Sequence, residues 1–217
     1  MKITENFNKV ILEKKENTPP KNHLPKEIKL LNSYKSKGWY NGEIFNYLDC
    51  EIKNKTLFVK CNKIMFFDYL VDKQQKPFSS KNIGVNAIIE VEDSIILIKR
   101  EEDDFGCPNY MDFPAGILPF NEDPINRLIN RIEKDTKLKK EHLTQLKLFP
   151  MTAEFDISFN LFYKTKCKLS KKQLQDFFNK NFKENKPILV QKSKIADFLK
   201  NNNVVFPEVL EAISKIK

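Results

Sequence analysis

Apolar residues recur at Ile125, Leu128, Ile129 and Ile132, the i, i+3, i+4, i+7 spacing that puts a stripe on one face of a helix. Asp123 stands ahead of the stripe as an N-cap. Pro124 follows at the first helical position, where its missing N–H costs nothing. Glu122 lies just before the cap, where the helix dipole favours a carboxylate. Gly116 sits in the preceding loop, the residue type used for close backbone approach or positive φ. Residues 113–138 therefore predict a strand end, a glycine loop and an amphipathic helix.

Two near-continuous apolar runs, 85–91 and 94–99, flank a tight Glu92-Asp93 turn and predict strands buried on both faces of a helix-covered sheet. Before them, 10–12 is a short β-like run, and a stretch with Pro19, Pro20 and Pro25 reads as an extended arm. A helix is expected over 26–37, carrying Ile28, Leu30 and Leu31 and stopped by Gly38. Residues 39–42 mark a turn, and 44–52 and 56–61 predict two strands around Lys53-Asn54-Lys55. The period of 64–69 leaves helix and strand both open. Trp39, Tyr40, Phe66, Phe67 and Tyr69 are expected to pack this module onto the next.

After the central helix, strands are expected over 145–149, ending at Pro150, and over 157–164, with Glu154 in the loop between them. A helix opened by Ser170, a strand at 188–190 and helices over 193–201 and 207–216 complete the chain. The sum is an α/β (α+β) protein, with an N-terminal arm and small module over 1–80 and a second domain over 81–217.

Composition narrows the classes. The chain has 217 residues, 41% of them apolar, enough for a folded core. The formal net charge of +9 favours an anionic partner, whether a nucleotide, a nucleic acid or an acidic surface. Four cysteines (Cys50, Cys61, Cys107, Cys167) form no C-x-x-C pair, and His23 and His142 are far apart, which argues against zinc and against histidine-based nucleophilic catalysis. Free cysteines and a polar N-terminus lead to the expectation of a cytoplasmic protein without a membrane span.

Phe113-Pro114-Ala115-Gly116, with Glu122 six residues on, resembles the first half of the Nudix box. In the second half, Asn130 and Arg131 stand where that family has Arg-Glu, Lys134 and Asp135 where it has Glu-Glu, and Lys137 where it has Gly. Ile132 and Leu138 match its apolar positions. The hairpin over 85–99, followed by Lys99-Arg100, is similar to the opening of a Nudix domain, and the likeness spans 83–217. It implies a Nudix-like α/β/α sandwich with a mixed sheet, preceded by a small strand-and-helix module. That module, with Tyr40-Asn41-Gly42 and Phe67-Asp68-Tyr69, is faintly similar to the one preceding the catalytic domain in Nudix enzymes that cleave UDP-sugars.

The resemblance implies roles. Gly116, Glu122 and Asp135 would serve Mg²⁺ or Mn²⁺ in an active enzyme. Glu122, Asp135 and Glu154 would be the catalytic carboxylates, with Glu154 as general base. The acidic run 101–104 is a further source of carboxylates. Arg100, Gly116, Arg127, Arg131 and Lys134 would contact phosphate. Arg127, Arg131 and Lys134 share one helix face, which is read either as a solvated surface or as a phosphate site with cations in the metal's place. Three functions stay open: a binder of a nucleotide or other diphosphate-containing ligand with reduced or lost hydrolysis, a metal-dependent hydrolase of nucleoside diphosphate derivatives, and a structural subunit of a nucleic-acid assembly. A homodimer is compatible with each.

Overall fold

The structure, a computed structural model, describes residues 2–4, 7–15, 24–36, 41–74, 79–102 and 107–215. In chain order these form β1 (Lys2–Thr4), β2 (Lys9–Lys14), α1 (Pro25–Ser36), β3 (Glu43–Lys53), β4 (Thr56–Met65), α2 (Phe66–Asp72), β5 (Asn82–Val91), β6 (Ser94–Lys99), β7 (Met111–Asp112), β8 (Ala115–Ile117), α3 (Pro124–Thr136), β9 (Lys147–Phe155), β10 (Ser158–Lys166), α4 (Lys171–Asn181), β11 (Ile188–Gln191), α5 (Ile195–Asn201) and α6 (Pro207–Ser214). Pro19, Pro20, His23, Gly38, Trp39, Tyr40, Asp103 and Asp104 lie outside the described residues. The elements form a mixed α/β fold of two compact units: Met1–Gly84 with Ile117–Pro124 and Pro150–Leu161, and Val85–Gly116 with Ile125–Phe149 and Phe162–Lys217.

In the first unit, β3 and β4 form an antiparallel hairpin from Glu43↔Met65 to Lys53↔Thr56. Its two-residue turn, Asn54-Lys55, takes φ of 48° and 58°, the left-handed pair that suits the twist of a tight hairpin. A bulge between Tyr47 and Asp49 leaves Leu48 facing solvent. β2 lies parallel to β4, Lys9↔Thr56 to Lys14↔Cys61, and β1 pairs antiparallel with residues of β9.

The ambiguous run 64–69 divides in two. Strand β4 continues to Met65, and the Asn41 Oδ1 then accepts the Phe67 N–H (2.8 Å) to start α2, whose Phe67, Tyr69, Leu70 and Val71 are buried. In α1 the buried residues are Glu27 and Tyr34, and Ile28 is 47% exposed. The Glu27 carboxylate reaches back to accept the Leu24 N–H (2.7 Å), capping the first turn.

In the second unit, β5 and β6 turn tightly at Glu92 (φ 51°), and β11 pairs with β6 from Ile188↔Leu97 to Gln191↔Ser94. The β5 positions are buried throughout, as a sheet covered on both faces requires. The core gathers Leu128 and Ile132 of α3, Val209, Leu210 and Ile213 of α6, and the edge-to-face rings Phe113–Phe162 (6.1 Å) and Phe162–Phe206 (5.1 Å). Ser170 caps α4 through a capping box with Gln173.

Pro150 does not end a strand: β9 runs through it to Phe155. Its ring is tolerated because it is exposed and precedes Thr152, the first β9 residue on the β1 ladder. Glu154, expected in a loop, is consequently a strand residue.

Candidate phosphate-facing site

Helix α3 begins at Pro124, as its start signals predict, but its apolar stripe is shifted. Leu128, Ile132 and Thr136 are buried, whereas Ile125 is 38% exposed. Arg127, Arg131 and Asp135 make a second i, i+4, i+8 line beside the buried one. That line lies over β8. A Cβ on Gly116 would stand 2.9 Å from Arg131 Cγ and 3.1 Å from Arg127 Nε, so glycine is required here by the close approach of two arginine side chains.

One nitrogen of Arg131, Nη2, lies 3.0 Å from Asp135 Oδ1 and 3.2 Å from Oδ2, and the Ala115 N–H also donates to this carboxylate. Burial nevertheless holds the Asp135 carboxyl above its ordinary value, outweighing the pull of Arg131, Lys134 and the Ala115 N–H toward the ionised form. The Nε atoms of Arg127 and Arg131 are both buried, and that of Arg131 makes no hydrogen bond. Lys134 is exposed, on the solvent side of this line. Lys137, where the resembled box has glycine, adopts φ 61° and donates its N–H to Glu133 O (2.9 Å), a left-handed helix stop built without glycine.

As donors these residues do not fit a hard divalent cation. Such an ion needs several free oxygens, and Asp135 is already neutralised by Arg131. Among the described residues no three His, Cys, Asp or Glu side chains cluster as a metal site.

The other expected residues stand elsewhere. Arg100 Nη1 is 3.2 Å from Asp112 Oδ2, and the buried Asp112 also takes the Phe113 N–H (2.7 Å). In the first unit, the Glu122 N–H closes a turn on Pro119 O (3.1 Å), and its side chain is half-buried. Glu154 Oε1 pairs with Lys81 Nζ at 2.7 Å, while Oε2 lies 3.5 Å from the Tyr47 hydroxyl. Burial raises the Tyr47 hydroxyl pKa, and its ring stacks on Phe159 at 4.3 Å. Glu101 and Glu102 are exposed. The second unit thus brings together Gly116, Arg127, Arg131 and Asp135, with Lys134 exposed beside them and Arg100 paired to Asp112. Two residues that hold candidates, Asp112 and Lys81, carried no sequence signal. The Arg131–Asp135 pair did, in its i, i+4 spacing.

No protein-family model matches the chain, and no curated protein matches it in sequence. Similar solved structures include a Nudix hydrolase from Nitrosomonas europaea (15% identity over 61% of this chain and 86% of its own, TM-score 0.38). A Nudix-family hydrolase from Clostridium perfringens shares 13% identity over 62% of this chain and 95% of its own, with a TM-score of 0.42. A Deinococcus radiodurans protein shares 12% over 76% and 98%, with a TM-score of 0.49. The fold is the mixed α/β one that the resemblance to the Nudix box implies, seen in the chain's own elements: the mixed sheet, Gly116 on its short strand and the helix that Pro124 opens. At these identities the likeness carries no activity across, and function is argued from the site. No described helix is long and apolar enough to cross a membrane.

Proposed function

We propose that this Nudix-like protein binds a nucleotide or another diphosphate-containing ligand through Arg127 and Arg131, with hydrolysis reduced or lost. The observation that carries the reading is the Arg131 guanidinium against both Asp135 oxygens, at 3.0 and 3.2 Å. A fixed cation stands where the resembled box would place a metal ligand. Guanidinium groups suit phosphate because their planar N–H forks match its oxygens, and a site half withdrawn from water strengthens that attraction. Gly116 lets both arginine stems lie flat on β8, and Asp135 orients Arg131 from one side. The net charge of +9 adds long-range attraction for an anion.

The test is calorimetric titration of the full chain with nucleoside diphosphates and nucleoside diphosphate sugars in the presence of a chelator. The reading expects binding without divalent metal. Arg131→Ala should weaken it about tenfold or more, the loss of one charge-assisted hydrogen bond. Absence of binding, or indifference to both Arg127→Ala and Arg131→Ala, overturns the reading. So does Mg²⁺- or Mn²⁺-dependent cleavage of the same compounds that Glu122→Gln abolishes.

A further inference from the structure

Strand β2 lies at the end of its sheet, and among the described residues it pairs with β4 alone. Its phase against β4 is legible. The Lys15 N–H donates to Cys61 O (2.8 Å), and the Cys61 thiol meets Glu13 O (3.6 Å). Odd-numbered positions thus turn their backbone groups toward β4, and Val10 and Leu12 turn theirs away. Val10, Ile11 and Leu12 are only half-buried, and Lys9 and Lys14 are exposed. An edge with outward N–H and C=O groups is a template for another strand; exposed lysines blunt such an edge unless the incoming strand sets a carboxylate opposite them.

The edge complements itself in one register. Antiparallel pairing about Ile11 sets Val10 opposite Leu12 twice, and these are the residues whose backbone groups point outward. Ile11 then faces Ile11. Lys9 faces Glu13 twice, at the non-hydrogen-bonded positions where side chains approach most closely. A shift of two residues one way sets Lys9 against Lys15, and the other way against Ile11. A shift of one puts the outward groups out of phase. Lys14 does not compete for Glu13, because its Nζ sits 4.6 Å from the Phe120 ring centre and 3.3 Å from Phe120 O.

We propose that β2 is a self-association edge: two copies of this chain join antiparallel through Val10–Leu12 about a two-fold axis at Ile11, in a register set by two Lys9–Glu13 ion pairs. The ladder is short, so the dimer is weak and forms reversibly with concentration. The proposal is independent of the ligand site.

Sedimentation of the full chain from low to high micromolar concentration tests it. A monomer–dimer equilibrium is expected for the wild type. Lys9→Glu and Glu13→Lys should each weaken it about tenfold, because two attractive cross-strand pairs become repulsive. An equal mixture of the two variants should dimerise as the wild type does, since each supplies the charge its partner lacks. Leu12→Pro removes one outward N–H and leaves the β4 ladder intact. It should give a monomer with wild-type circular dichroism and melting. A wild type that stays monomeric throughout overturns the proposal, as does a dimer that the charge reversals leave unchanged or that their mixture fails to restore.

Discussion

Two buried carboxylates with cationic partners titrate in opposite directions. Glu90 is buried beside Lys164 (3.0 Å) and Lys192. Burial alone would raise its pKa, but the two ammonium groups together hold it below the ordinary glutamate value. Asp135 has Arg131, Lys134 and the Ala115 N–H drawing it toward the ionised form, and there burial wins. The consequences for stability differ in sign. A lowered folded pKa gives stabilisation that is present above the unfolded value and is lost as pH falls through the folded one. Glu90→Gln is therefore expected to cost about 3 kcal/mol at neutral pH, at the low end for a broken buried pair because the lysines keep some solvent. In urea titrations that cost should shrink on acidification. A raised folded pKa gives the reverse: the folded state favours the proton, and this advantage is present at low pH and lost as pH rises through the folded value. Asp135→Asn should therefore become more favourable relative to wild type as pH rises from the acid range to neutrality. A pH-independent difference would mean that Asp135 is not desolvated as the structure has it.

At the scale of the element, α3 is started by local rules and stopped against them. Lys137 holds φ 61° at the left-handed stop, a conformation that costs a non-glycine residue on the order of 1 kcal/mol. Lys137→Gly should raise stability by about 0.5–1 kcal/mol, seen as a rise of roughly 1–4 °C in the melting temperature. The gain stays below the full conformational cost because the change also removes the approach of the ammonium to the Phe182 ring (5.9 Å) and its hydrogen bond to Lys134 O (3.2 Å). Packing of α3 on β8 depends on the missing side chain at Gly116. Gly116→Ala places a methyl 2.9 Å from Arg131 Cγ, near the root of that side chain, so the helix or the strand must shift. A loss of about 1–3 kcal/mol is expected by chemical denaturation, together with weaker binding in the titrations above. An unaltered protein would show that the two elements can separate freely there.

For the whole molecule the governing quantity is the charge of +9. If it draws an anionic ligand from a distance, affinity should fall several-fold from low salt to physiological ionic strength, where screening acts beyond about 8 Å. Binding that is flat with salt would leave only the local arginine contacts. Near neighbours along the chain set the features that were legible before the fold was known. Pro124 and Ser170 start their helices, Asn54-Lys55 and Glu92-Asp93 close their hairpins, and the unbroken apolar runs became the buried β5 and β6. These signals act within a few residues and survive without knowledge of the rest. Tertiary structure alone decided which charges met. Arg100 found Asp112 and Glu154 found Lys81. Asp135, four residues from Arg131 and so within reach of a sequence argument, was settled as an ion-pair partner only when β8 buried both. It also decided that Ile28 and Ile125 stay exposed and that β9 runs through Pro150. A charge or an apolar side chain is satisfied by whatever the fold brings within a few ångströms. That neighbour is usually distant in sequence, and no periodicity along the chain encodes it.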